Sequence, residues 1–176
     1  LDVSPDDFES AFILACLGRA RLTVGNIAGA VAALEEAVSL ADRLRSVQFL
    51  AWFRTMLGEA YLASGALEKA TAVVRAALES SSEMQFAFGV GLSRQLLGRI
   101  ARAQGNLAQA ERDLNDAAAL LMAVGALFDL ARTKLTLADL ASDLGDENAS
   151  ASQRQEARIL FAKLGIPEQA APIASK

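Results

Sequence analysis

Apolar residues in this chain recur at helical spacing, and the helices they imply recur in turn. Phe49, Leu50, Phe53, Met56, Leu57, Ala60 and Tyr61 fall on one helical stripe. Ile27, Ala30, Leu34, Ala37 and Val38 form a second kind of stripe, richer in alanine. Between the two kinds stands a glycine, followed at once by a capping residue in Gly25-Asn26, Gly105-Asn106 and Gly145-Asp146. Glycine takes the left-handed conformation that ends a helix at little steric cost, and Asn or Asp then caps the next one. Gln109, three residues after Asn106, predicts a reciprocal capping box. Each helix–glycine–helix unit predicts a hairpin of two antiparallel helices.

Written in rows of 40, the sequence aligns without a gap: Leu17, Leu57, Leu97 and Leu137 form one column. Gly25, Gly65, Gly105 and Gly145 form another, and Ala37, Ala77, Ala117 and Ala157 a third. Phe8, Phe88 and Phe128 share a column broken by Gln48. Gly18, Gly58 and Gly98, with Ala138 in the fourth row, lack bulk where the two helices of a pair must approach. A helix pair repeated at fixed period predicts an all-α fold, a right-handed α-α superhelix of four helix-turn-helix repeats. The expected repeats cover 5–45, 46–82, 83–125 and 126–165 within a domain of residues 1–165, leaving 166–176 as a tail.

The run Leu57-Gly58-x-x-Tyr61 with Gly65, Ala70 and Ala77 resembles the tetratricopeptide repeat, as do Leu97, Gly98, Gly105, Ala110, Leu114 and Ala117 one row later. The period departs from that family's roughly 34 residues, so both helices should be longer. The slot the family fills with a large aromatic holds Leu14, Arg54, Arg94 and Lys134, and its tyrosine slot holds Arg21, Ala101 and Ala141 outside the second row. The variant is similar to helical-repeat regions of large bacterial ATP-dependent transcription activators and of cyclase or kinase signalling proteins joined to an ATPase. Residues 156–165 also look like the end of such arrays. A start at Leu1 rather than methionine adds to the expectation of a piece of a larger protein.

The resemblance implies a binding groove lined by the first helix of each pair. Carried over by column, that face holds Phe12, Arg19, Trp52, Thr55, Glu59, Gln95, Arg99, Arg102, Arg132 and Asp139, with Trp52 an anchor or a packing residue between repeats. The family's clamp for a peptide carboxylate is not expected, because Ala15, Thr55, Arg19 and Glu59 stand where Lys and Asn would be needed. The ends read differently from one another. Ser4-Pro5-Asp6-Asp7 predicts a capped helix start, and the helix after it is apolar nearly all round, exposing Phe12 and Ile13 as candidates for self-association. Ser46 is the expected cap of the third helix. Residues 148–158 turn polar, as a terminal cap should, and Pro167 and Pro172 end helicity.

Composition narrows the function classes. The chain has 176 residues, 53% of them hydrophobic, and a net charge of −4. An acidic chain of pI 4.9 lacks the basic field a nucleic-acid surface needs. The longest apolar run, Ala117–Phe128, falls short of the roughly 20 residues that cross a bilayer. With no histidine and one cysteine, Cys16, the sequence offers no Ser-His or Cys-His catalysis, no zinc site and no internal disulfide. Gly89-Val90-Gly91 reads as a softened helix start rather than a dinucleotide loop, and Asp143 to Glu147 as solvated acids at a helix start. Glu35-Glu36 and Asp113 with Asp116 are likewise solvated acids, and Arg54, Arg94 and Lys134 form the charged edge of the stack.

These readings converge on a cytoplasmic, non-enzymatic interaction or regulatory module without cofactor or metal. Its expected partner is a protein, a peptide or another domain of its parent, neither nucleic acid nor membrane. A small-molecule sensor with a pocket near Trp52 and Phe88 is one alternative, and homodimerisation through the N-terminal edge is another.

Overall fold

The computed structural model describes residues 5–166, with the side chains of Pro5, Asp6 and Gln48 left aside, and there the chain is helical throughout. Eight helices follow one another: α1 Pro5–Thr23, α2 Ile27–Arg43, α3 Val47–Ala63, α4 Leu67–Glu83, α5 Ala87–Ala103, α6 Leu107–Ala123, α7 Leu127–Asp143 and α8 Glu147–Lys163. From α2 onward every helix has 17 residues. The expected starting cap Ser4 and the prolines at 167 and 172 lie outside the described residues. Among those residues no helix is long and apolar enough to cross a membrane.

Every turn is built alike. In the first, the Gly25 amide donates to Leu22 O (3.1 Å) and the Asn26 amide to Arg21 O (2.9 Å), the paired bonds of a Schellman ending. The middle residue must then adopt positive φ, and residues at 25, 45, 65, 85, 105, 125, 145 and 165 all do. The rows anticipated glycine between paired helices, yet Arg45 (φ 51°) and Gln85 (φ 53°) take the same conformation with full side chains. A side chain in this region costs roughly 1 kcal/mol. Arg45→Gly and Gln85→Gly are each expected to stabilise the protein by about 0.5–1 kcal/mol, part of the gain being lost to glycine's freer unfolded chain. Urea denaturation of the two variants measures it, and a loss of stability would show that the side chains contribute contacts that outweigh the strain.

The caps are only partly as expected. Asn26, Asn106 and Asp146 accept from the amides of Gly29, Gln109 and Ala149. Ser46 makes no side-chain cap bond. The capping box at Asn106 is half made. The Gln109 side chain turns away to Asp113 and Arg112, while the Asn106 amide is already spent on Ala101 O.

The chain forms two compact units that divide inside α5, after Gly89. In the first, α1 packs on α2, α2 on α3 and α3 on α4. Its core joins Ala11 and Ala15 of α1, Ala30, Leu34 and Ala37 of α2, and Phe53, Met56 and Leu57 of α3. In the second, α6 packs on α7 and α7 on α8, with Ala131, Ala157 and Phe161 together at the end of the core. The small column does what its lack of bulk suggested. A Cβ on Gly18 would lie 2.5 Å from Leu34 Cγ, and one on Gly98 2.6 Å from Leu114 Cγ.

Candidate functional site

In the first unit the groove positions gather around Trp52. The α1 and α3 helices touch, which brings Phe12 and Trp52 within 6.0 Å, ring centre to ring centre. Phe49 lies 6.5 Å from Trp52, and Phe8 meets Phe49 edge-on at 4.9 Å. Beneath them the buried Phe53 ring supports Trp52 at 5.8 Å and Phe49 at 6.0 Å. Trp52 is therefore both a packing residue and a surface one, 36% exposed, with Phe8 and Phe12 each 40% exposed beside it. Edge-on and tilted ring contacts hold such a surface in shape without a ligand. Phe8 and Phe49 were absent from the expected groove. Their signal is the spacing of Phe8 to Phe12 and of Phe49 to Trp52 and Phe53, one helical turn in each case.

Two turns further along the same helices lie Arg19, exposed, and Glu59, half-buried. Thr55 spends its hydroxyl on Ala51 O (3.0 Å) within α3. Phe88, offered with Trp52 as a pocket wall, meets Phe86 edge-on at 5.9 Å. Tyr61 donates its phenol to Glu35 Oε1 at 2.5 Å. Burial first, then the bond and the charge of Glu35, push its pKa up to about 12. Because the folded value is raised, the stabilisation is whole below the ordinary value of 10.0 and fades as pH rises through the folded one. It is the chain's one tyrosine, so an ultraviolet titration reads it alone. We expect a midpoint near 12 that moves down in Glu35→Gln; an ordinary midpoint would show that the bond does not persist in solution.

In the second unit the groove positions are tied to one another. Gln95 is 4% exposed and donates to Asp129 O (3.1 Å) and Thr133 Oγ1 (2.8 Å), which makes it part of the α5–α7 packing rather than a surface. Arg102 grips Asp143 through Nε (2.5 Å) and Nη2 (3.2 Å) and comes within 3.9 Å of Asp139. The bond to Arg102 holds the Asp143 carboxyl below its ordinary value and raises the guanidinium's own. Asp139 in turn accepts from Arg154 of α8 (2.7 Å). Arg132 lies 3.9 Å from Asp129, and Arg99 is half-buried on α5. Of the acids at 143–147, Asp143 is engaged by Arg102 and Asp146 as a cap, and no cluster of metal-ligating side chains occurs among the described residues.

The basic column resolves in the same way. Arg94 bonds the buried Asp113 (2.8 Å) and reaches Asp116 (3.3 Å). Lys134 meets Glu156 at 2.8 Å, and Arg54 donates to Ser80 Oγ (3.3 Å) near Asp42 (4.0 Å). Asp113 and Asp116, read from sequence as a solvated pair, are the counterions of Arg94. Of the apolar groove positions, Phe12 and Trp52 stay exposed.

Comparison with known proteins bears on the fold. No family model matches the sequence, and no curated protein does. Among solved structures, a Rap protein complexed with Competence and Sporulation Factor superposes with a TM-score of 0.83 over 92% of this chain and 45% of its own, at 13% identity. Aspartyl phosphate phosphatase F from Bacillus subtilis gives 0.77 over 92% of this chain and 43% of its own, also at 13% identity. TPR-like repeats of a putative kinesin light chain from Podosopora anserina give 0.58 over 86% of this chain and 94% of theirs, at 17% identity. This chain thus spans less than half the length of the first two. At such identities the likeness is one of fold, and the fold is that of a tetratricopeptide-like helical repeat.

Proposed function

We propose that this chain is a non-catalytic interaction module that holds a segment of a partner protein against α1 and α3, with Trp52 and Phe12 as its anchor. The observation that carries this reading is the set of exposed rings at Phe8, Phe12 and Trp52 fixed over the buried Phe53. Aromatic anchors on a rigid base concentrate binding energy, since little entropy is lost when a partner covers them. Arg19, exposed two turns away, would set the direction of the bound segment by charge. A fold shared with a Rap protein seen in complex with a factor agrees with such a role. The absence of histidine, with Asp113, Asp139 and Asp143 engaged in ion pairs and Asp146 in a cap, agrees with a chain that does no chemistry. On this reading the module serves a larger bacterial signalling or regulatory protein in the cytoplasm.

Peptides selected from a displayed library against the native chain test the proposal. Trp52→Ala is expected to weaken their binding by tenfold or more, roughly the effect of removing an interface anchor, with the helical circular dichroism retained. Phe12→Ala should act in the same direction. Selected peptides that bind both variants as well as the native chain would refute the site. A second reading, assembly of the chain with itself through α1, rests on the 63% exposure of Ile13.

A further inference from the structure

Departures from good packing gather at one place, where α4 gives way to α5. Ser81, in the last turn of α4, is 1% exposed, and Ser93, in the second turn of α5, is fully buried. Neither hydroxyl has a hydrogen-bond partner among the described residues. A polar group buried without a partner gives up its water for nothing, which weakens the packed state. The other rows avoid this. In the column of Ser81 stand Ala41, Leu121 and Phe161, all buried and all apolar. On either side of Ser93 in its column stand the buried Phe53 and Thr133. The Thr133 hydroxyl is satisfied, donating to Asp129 O (2.8 Å) and accepting from Gln95 (2.8 Å).

Backbone propensity points the same way. Within its first two turns α5 carries Gly89 and Gly91, where α3 has Phe49 and Ala51 and α7 has Asp129 and Ala131. Glycine within a helix favours the unfolded chain. Close approach accounts for the missing bulk: a Cβ on Gly89 would lie 2.6 Å from Ser81 Oγ, and one on Gly91 3.0 Å from Leu121 Cγ. It does not account for a polar residue at 81. Just before α5, Gln85 holds φ 53° with a full side chain. The division between the two compact units also falls in this stretch, after Gly89.

We propose that residues 87–93 are a joint, the first two turns of α5 opening locally and reversibly while the other helices stay folded. Of these seven residues only Gly91 and Ser93 are buried, so opening uncovers no large buried apolar side chain. It returns the Ser93 hydroxyl to water and frees two glycines. The same event at the start of α3 would uncover Leu50 and Phe53, and at the start of α7 Leu130 together with the bonds of Thr133. Segments with little apolar burial and poor propensity are those that open first in a folded chain.

Hydrogen exchange of the intact chain, read by mass spectrometry on overlapping peptides and corrected for intrinsic rates, tests the proposal. Amides of 88–93 are expected to exchange at least about tenfold faster than those of 48–53 and 128–133, given two glycines and an unpaired hydroxyl. Ser81→Ala and Ser93→Ala together should slow that exchange about fivefold or more, since they relieve the closed state, and should leave α3 and α7 unchanged. Brief digestion of the native chain with thermolysin, which cuts before large apolar residues, should make its first internal cut within 87–93. Equal protection at the three helix starts, or a first internal cut in another helix, refutes the joint. Fast exchange that the two alanines leave unaltered refutes the buried hydroxyls as its cause.

Discussion

Replacing Phe53 by alanine is expected to destabilise the first unit by about 3–5 kcal/mol, the range for emptying a large buried aromatic site. The ring is 1% exposed and lies among Leu34, Ala37 and Met56, and it underlies both Phe49 and Trp52. Relaxation into the void is limited from two sides. The α2 residues facing it are mostly alanines, too short to reach in, and the partly exposed rings above cannot sink without losing their edge contacts to Phe8 and Phe12. Phe53→Leu should cost less than half as much, since most of the volume remains. Trp52 is the only tryptophan and sits in this unit, so its fluorescence during urea denaturation reports the loss directly. A change below about 1 kcal/mol would mean that neighbouring helices close the cavity, contrary to the packing described.

Gly98→Val is the second large change, expected to cost about 3 kcal/mol or more. The added Cβ alone would lie 2.6 Å from Leu114 Cγ, 2.9 Å from its Cδ2 and 3.2 Å from Ala110 O. Leu114 is fully buried and has nowhere to retreat, and the carbonyl belongs to the backbone of α6. Even Gly98→Ala should lose stability, for the roughly 1 kcal/mol that alanine gains in a helix is outweighed by roughly 1–3 kcal/mol of overpacking. The fourth row supplies the control. Ala138 stands where the other rows have glycine, and opposite it the place of Leu34 and Leu114 is taken by Arg154, a half-exposed side chain that runs out to Asp139. Ala138, itself fully buried, tolerates its Cβ, so Ala138→Gly should lose stability, by about 1 kcal/mol of helix propensity and about 1 kcal/mol for the buried methyl. Combining Gly98→Ala with Leu114→Ala should cost clearly less than the sum of the two alone; simple additivity in urea denaturation would show that the contact is not the cause.

That pairing of columns marks what sequence could and could not supply. The glycines at 18, 58 and 98 were legible because a period repeats them, and a reason for them follows from how near two helices must come. Ala138 fitted the column as a small residue, but its licence to carry a Cβ lay in Arg154, sixteen residues on, and only the packed pair reveals it. Local periodicity likewise placed Gln95 on the groove stripe, while α7, more than thirty residues away, covers it and takes its hydrogen bonds. Asp143 looked like part of an acidic loop until Arg102 from another helix claimed it. Arg45 and Gln85 escaped notice because their conformation is imposed by the helices on either side rather than chosen by their side chains. The aromatic surface was half visible. Trp52 and Phe12 shared a column, and Phe8 and Phe49 lie one turn from them along each helix, but the edge contact that joins Phe8 to Phe49 comes from the crossing of α1 on α3.

The even spacing of the turns has a consequence for how such a chain can grow. With a left-handed residue at every twentieth position, the backbone repeats in units half as long as the side-chain pattern. Loss of the tract from Ser46 to Gln85 by recombination would join Arg45 to Phe86, leaving a turn of the same form between helices of the same length, with each column still in step. Loss or duplication of half that tract would also preserve the turn, but it would present an alanine-striped second helix where a bulkier first helix belongs. Insertions and deletions that the backbone tolerates equally are thus sorted by the side chains, and descendants of this chain should differ in length by whole helix pairs.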